Sequence, residues 1–348
     1  VERLNGILKE ARLKTTKALK TVAEEIQMDY SLLSRIENGS RNPTKEQVLQ
    51  LAEYYHIRPK EFMLHWLSDK IYLQLKDEAF GLKALQLAES RLSYQTETFK
   101  NQSLLQKIDQ LKQQIEQQDA LEEVQLQKLL DYSKVRYTFD SNRMEGNSLT
   151  LKETALVIEK GMCIPGKSVR EHFEIVNHAD AVDLLYEFVQ NKSELNEYLL
   201  IQIHALVLRG IDKHNAGVYR SVNVRISGSK HEPPQPFMLN KLMEDYFLFY
   251  QEQKAKMHPL VLAAEMHERL VTIHPFVDGN GRTARLVMNL VLMQAGYPIT
   301  NISSEQENRL TYYESLELAQ TENNKNPFIE FVGNHLVVAL EEFLRMSA

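Results

Sequence analysis

The chain has 348 residues, 43% hydrophobic and 25% charged, with a net charge of −6 at pH 7. This length suggests two or three domains. The composition is that of a soluble globular protein, and the mild negative balance argues against a surface coated in nucleic acid. One cysteine, Cys163, excludes an internal disulfide and fits a reducing cytoplasm, where a partly buried, unreactive thiol is expected. No apolar run reaches the roughly 18 residues of a membrane span, and no basic segment followed by an apolar one opens the chain, so neither membrane contact nor export is expected. The chain begins with Val1 in place of Met, which suggests processing or trimming. Gly and Pro are sparse, and apolar residues recur at spacings of three and four, so the fold class is mainly α with one short strand region. Three blocks are expected: a bundle over 1–66, a helical linker over 67–120 and a larger helical domain over 121–348.

The first block reads as four or five short helices. Leu4, Ile7 and Leu8 can line the buried side of the first, and Thr21–Ile26 forms the next. Asp29 can cap a third helix from Tyr30 to Asn38, which Gly39 ends. Thr44, with Gln47 three residues on, makes the capping box of a fourth. Through Leu33-Ser34-Arg35-Ile36-Glu37-Asn38-Gly39 and Arg41-Asn42-Pro43 this block resembles the phage-repressor-like helix-turn-helix domains. The resemblance implies an ion pair between Arg12 and Glu37, and it puts Tyr30, Ser31, Ser34 and Arg35 toward the major groove of operator DNA. Residues 1–66 carry 11 basic and 9 acidic side chains, a weak excess, although Lys9 to Lys20 holds five bases against one acid. A protein-interaction or dimerisation module is the alternative.

In the middle block Leu104, Ile108, Leu111 and Ile115 step by four, three and four. This seam is too short for an isolated coiled coil. A helix packing on its own chain, or in a homodimer, is expected.

Seven or eight helices and one hairpin follow. Val222, Val224 and Ile226 alternate with polar residues, which signals a strand, and Gly228-Ser229 turns it. Pro259 suits a first helical turn, with Leu262, Met266 and Leu270 on the buried side. The chain then delivers His274 into a loop, and Asn280 to Ala295 forms a helix ended by Gly296. The loop therefore lies at a helix N-terminus, where free N–H groups and the positive dipole end converge. Gly279 and Gly281 let the backbone curl into an anion nest, a phosphate cradle. Arg282 and Arg285 share a helix face and can both address a polyphosphate. Asp278 is placed to hold a magnesium ion bridging phosphate oxygens. His274 titrates near neutrality by type and can take a proton from a hydroxyl. Phe276 is expected to anchor the loop in the core.

The twelve residues His274 to Arg285 match His-x-Phe-x-Asp/Glu-Gly-Asn-Gly-Arg-x-x-Arg at every fixed position, and through them the chain resembles the Fic-domain protein adenylyltransferases. The resemblance implies an all-α domain with a hairpin flap, ATP as co-substrate and Mg2+. It implies transfer of AMP to a Tyr, Thr or Ser hydroxyl of a target protein, or of the chain itself, with release of pyrophosphate. His274 would be the general base and Asp278 the metal ligand. Gly279, Asn280 and Gly281 would hold the α- and β-phosphates, Arg282 the phosphate chain and Arg285 the γ-phosphate. Gly281, where a related branch that transfers phosphate has Lys, favours AMP transfer. Val224, Arg225, Ile226 and Ser227 would form the flap edge that accepts the target by strand addition. Tyr312 and Tyr313 resemble a pair lining the adenine pocket, with Gln320 a further purine contact. Neighbours on a helix diverge by about 100°, so one Tyr is expected to stack, or else one is core and the other surface.

Ser141-Asn142-Arg143-Met144-Glu145-Gly146 matches Ser/Thr-x-x-x-Glu-Gly/Asn, the inhibitory motif of that family. The resemblance implies that Ser141, Glu145 and Gly146 set a carboxylate against Arg285 in the γ-phosphate position. A helix end with Glu145 solvated and Gly146 as cap is the plain alternative. Two other functions compete with a self-restrained transferase: a DNA-binding transcription regulator with a nucleotide-sensing body, and a hydrolase in which Glu145 orients a water to remove AMP.

Overall fold

The computed structural model describes residues 3–85, 88, 102–118 and 122–347. The chain forms two compact units, Val1–Thr96 and Glu97–Ala348.

The first unit contains α1 (Leu4–Lys14), α2 (Leu19–Glu25), α3 (Tyr30–Glu37), α4 (Lys45–Tyr54) and α5 (Pro59–Leu75). Leu4, Leu8, Val22, Leu33, Leu51 and Phe62 fill its core. The boundaries follow from local chemistry: Asp29 accepts from Leu32 N–H at the start of α3, and Thr44 with Gln47 closes a reciprocal capping box on α4. Arg12 on α1 holds Glu37 at the end of α3 with Nε–Oε distances of 2.9 and 3.0 Å.

The second unit is all helical among its described residues. Its helices are α6 (Gln102–Gln117), α7 (Glu123–Met144), α8 (Leu151–Lys160), α9 (Val169–Gln190), α10 (Glu197–Val207), α11 (Leu239–Gln253), α12 (Pro259–Ile273), α13 (Asn280–Gln294), α14 (Gln306–Glu322) and α15 (Asn326–Ser347). The Leu104, Ile108, Leu111, Ile115 seam of α6 packs into this unit's core, and Ile108 is fully buried there. At the centre lies α13, buried along nearly its whole length and flanked by α7, α9, α10 and α12. A helix so enclosed is normally apolar all round. Here it carries two arginines into the interior, a cost that a functional site accounts for.

The expected hairpin is absent. Among the described residues there is no strand, and residues 223–226 run as irregular chain with no ladder partner. The turn does form, with Ser229 N–H donating to the Ile226 carbonyl. The returning arm holds Pro233, Pro234 and Pro236, which have no N–H to give a ladder. Alternation therefore does not produce a paired strand here. Cys163, in the loop after α8, is exposed, not partly buried. No helix among the described residues is long and apolar enough to cross a membrane.

Candidate active site

The loop between α12 and α13 is built to present His274. Its backbone turns left-handed, at φ +51 and ψ 58, immediately after α12. A non-glycine residue in this region is uncommon and must be held there by its surroundings. Arg220 does much of that holding. Its Nε donates to the His274 carbonyl at 2.8 Å, its N–H to the Pro275 carbonyl at 2.9 Å, and its remaining nitrogens to Val222 and Pro234 carbonyls. One buried side chain thus ties that irregular segment to the loop.

The ring of His274 donates from Nδ1 to the Val271 carbonyl at 3.2 Å. A carbonyl can only accept, so the proton sits on Nδ1 and Nε2 keeps a free lone pair. Burial lowers the His274 pKa, the Val271 hydrogen bond raises it, and Arg220 lowers it further, with a net shift downward. The imidazole is therefore a neutral base at pH 7.

Asn280 closes the loop on itself. Its Oδ1 accepts from Phe276 N–H at 3.0 Å and its Nδ2 donates to the Phe276 carbonyl at 2.9 Å. Its side chain is thereby committed to the loop, which leaves its backbone for any ligand. Phe276 is fully buried and stacks on His204 at 3.5 Å. His204 accepts from Gly217 N–H at Nδ1 and donates from Nε2 to the Asp278 carbonyl. Thr283 N–H to the Gly279 carbonyl is the first rung of α13, so the N–H groups of Asn280, Gly281 and Arg282 precede the helical ladder.

Arg282 is 2% exposed and loosely held. Its Nη2 lies 3.3 Å from Asp278 Oδ1, and its Nη1 lies 3.7 Å from Glu174 Oε1. Its Nε and Nη1 have no hydrogen-bond partner among the described residues. Buried guanidinium donors left open beside a helix N-terminus suit an anion. Asp278 is 44% exposed at the rim and pairs with Arg170 Nη2 at 2.9 Å.

Arg285 is closed off instead. Its Nε donates to Ser141 Oγ at 3.0 Å, and its Nη2 to the Ser141 carbonyl at 2.9 Å and to Glu145 Oε1 at 2.7 Å. Burial, the largest single influence, would lower its pKa, but the Glu145 charge and hydrogen bond together with the Tyr312 and Tyr137 hydroxyls outweigh it, and the net shift is upward. Of the plain helix-end reading of residues 141–146, the glycine cap is present, but Glu145 is paired with Arg285 and not simply solvated. Gly146 N–H bonds the Arg143 carbonyl and Asn147 N–H the Asn142 carbonyl, a Schellman end to α7. Gly146 has φ +96, which favours glycine. The cap stops α7 so that Glu145 projects over Gly281. A Cβ on Gly281 would lie 2.5 Å from Glu145 Oε1.

Of the tyrosine pair, Tyr312 is buried and bonds His267 and Arg285, while Tyr313 is 45% exposed and bonds the Met144 carbonyl. Arg170, Glu174, His204, Arg220 and His267 were not anticipated from the sequence. In the first unit Tyr30, Ser31 and Arg35 are exposed and Ser34 is half-buried.

Three imidazoles are stored neutral in this fold. Burial holds His178 and His267 well below the ordinary value, and it lowers His204 to about 4. An unfolded histidine protonates near 6.5, so between that pH and the folded values the unfolded chain binds more protons. Their contribution is complete above pH 6.5 and is lost as the pH falls toward 4. His204 alone should cost on the order of 2 kcal/mol at pH 5. Urea unfolding is expected to show a clearly lower midpoint at pH 5 than at pH 7.5; equal midpoints would contradict neutral storage.

Residues 194–292 match the Fic/DOC family, and residues 8–62 match the helix-turn-helix family. The chain is 37% identical over 210 residues to the protein adenylyltransferase Fic of Drosophila grimshawi, covering 60% of this chain and 42% of that one. It is 35% identical over 247 residues to the protein of the same name from Nematostella vectensis, covering 70% and 56%. The chain thus spans about half the length of these relatives. A crystal structure of a Fic-domain-containing signaling protein from Bacteroides thetaiotaomicron superposes with a TM-score of 0.62 and 26% identity, covering 71% of this chain and 97% of that one. Residues 194–292 are a Fic/DOC-family domain, carried in one chain with a helix-turn-helix domain.

Proposed function

We propose that the chain is a self-restrained protein adenylyltransferase. It moves AMP from ATP to a Tyr, Thr or Ser hydroxyl of a target protein or of itself, and Glu145 is the restraint. The observation that carries this reading is the pairing, within one loop and one helix turn, of a neutral His274 with a free Nε2 and two buried arginines, one of them capped by Glu145 at 2.7 Å. The relatives named adenylyltransferase support it.

In this reading the α- and β-phosphates lie on the N–H groups of Gly279, Asn280 and Gly281, with Arg282 beside them. His274 Nε2 takes the proton of the target hydroxyl. The hydroxyl oxygen bonds to the α-phosphorus as the bond to the β-phosphate oxygen breaks, and pyrophosphate leaves. Positioning and charge neutralisation supply the acceleration. Glu145 occupies the place of the γ-phosphate on Arg285, so ATP is admitted only out of line until it moves. The Val224-Arg225-Ile226-Ser227 segment, which enters the turn at Ser227 and belongs to no sheet, would accept a target strand along Val224 and Arg225.

Mg2+ fits the residues present. Asp278 gives one hard, half-exposed carboxylate beside the phosphate cradle, and Mg2+ commonly uses one or two carboxylates with phosphate oxygens and waters. Its chemistry there would be to neutralise phosphate charge. Arg170 would have to yield its place on Asp278.

The full chain carrying Glu145→Gly is expected to become labelled, or to label a target in an extract, from ATP labelled at the α-phosphate and not at the γ-phosphate. Label from the γ-phosphate would overturn AMP transfer.

We further propose residues 1–66 as a DNA-binding domain, with 67–120 leading into a catalytic domain of 121–348. The exposed Tyr30, Ser31 and Arg35 on the second helix of the motif support it. Fluorescence anisotropy with operator-length duplexes, comparing Arg35→Ala, tests it.

A further inference from the structure

Arg285 is 1% exposed and has one charged partner among the described residues, Glu145. Its other bonds go to neutral groups. Ser141 takes Nε and part of Nη2, and the Tyr312 hydroxyl takes Nη1 at 3.5 Å. Tyr312 is itself held, its hydroxyl 3.0 Å from His267 Nε2. An arginine only donates, so the Tyr312 oxygen accepts from Nη1, and the same hydroxyl shares a hydrogen bond with His267 Nε2. Complete burial next to Arg285 keeps His267 neutral. The contacts run from α13 through α14 to α12.

A place on the adenine ring does not suit Tyr312. Its ring is 2% exposed and walled by His267, Phe328 and Phe331, with centroids 5.7 to 6.0 Å away. We propose that Tyr312, oriented by His267, is a positioning residue that keeps Arg285 aimed at the terminal phosphate once Glu145 has moved. This rests on the reading that Arg285 receives the γ-phosphate. While Glu145 is in place, Arg285 is held by two carriers on α7 and its cap, Ser141 and Glu145. When the carboxylate leaves, the Tyr312 hydroxyl is the remaining side-chain contact that fixes the far end of the guanidinium.

The test uses the full chain carrying Glu145→Gly, and His274→Ala so that bound ATP is not consumed. Affinities for ATP and for ADP are measured calorimetrically with Mg2+ present. ATP is expected to bind more tightly, and adding Arg285→Ala should erase the difference. Adding Tyr312→Phe should lower the ATP-to-ADP affinity ratio about fivefold, as expected for one modest hydrogen bond, and leave ADP binding unchanged. Loss of ATP and ADP affinity together, or of neither, would assign Tyr312 a purely packing role and overturn the proposal, with the Arg285 result still standing. A ratio unmoved by Arg285→Ala would remove the reading beneath it, and the proposal with it. His267→Asn removes the imidazole that orients the hydroxyl and should lower the same ratio; it serves if Tyr312→Phe does not fold. An unchanged ratio there also counts against the proposal.

Discussion

Glu145→Gly is expected to raise the rate of AMP transfer by roughly 10- to 100-fold at subsaturating ATP. The range comes from the contact being removed. Arg285 is fully buried, and breaking a fully buried ion pair costs about 3–5 kcal/mol. Glu145 is 36% exposed, so solvent screens its half of the pair and a smaller value of about 1.4–2.8 kcal/mol is appropriate, a factor of ten per 1.4 kcal/mol. The same variant should be less stable without nucleotide, because a buried cation has lost its countercharge, and ATP should restore the loss. Transfer of label from α-labelled ATP and melting temperature with and without ATP are the two measurements. A rate equal to wild type would remove Glu145 from the mechanism.

His274→Ala in the Glu145→Gly background should lower transfer by about 10²- to 10⁴-fold, the usual contribution of general base catalysis. ATP affinity should change little, since in the proposed mechanism His274 faces the target hydroxyl and not the phosphates. The pH dependence carries a second check. The His274 pKa lies below 6.5 because the ring is buried. The base is then neutral and competent through the neutral range, and its activity falls only as the pH drops through that lowered value. A profile that keeps rising through pH 7 to 8 with a single step would point to a different group as base.

The parts of the site that lie on one short stretch of chain were legible in the sequence. A His before a Gly-Asn-Gly turn and two arginines three apart define a helix N-terminus with base and cations around it, and local backbone rules suffice to place them. What the sequence hid is held by distant residues. Arg220 reaches the His274 carbonyl across 54 positions, His204 the Asp278 carbonyl across 74, and Arg170 the Asp278 carboxylate across 108. Nothing in their neighbourhoods distinguishes them from other polar residues. Asn280 shows a subtler limit. Its position in the loop could be read, but whether its amide turns to a ligand or back to Phe276 depends on geometry at the scale of a single rotamer. The hairpin illustrates the reverse error. Alternation reports an extended chain with two unlike faces, and it reads the same whether or not a second strand donates to it. Glu145 and Arg285 are 140 positions apart, and only the resemblance to a family motif linked them.

Glu145 caps a helix of 22 residues, about 33 Å long at 1.5 Å per residue. The cap is bolted down: Asn147 Nδ2 is fixed by the Glu174 carboxylate at 2.9 Å and by the Glu171 carbonyl at 3.1 Å. In its C-terminal half Asp140 grips Asn301 and Ser304, and Arg136 grips Glu342. The stretch of α7 and its cap that sets Glu145 on Arg285 is thus anchored on both sides, by Asp140 before it and by Asn147 after it, so in the proposed reading Glu145 leaves Arg285 only if one of these anchors loosens or its own side chain turns away.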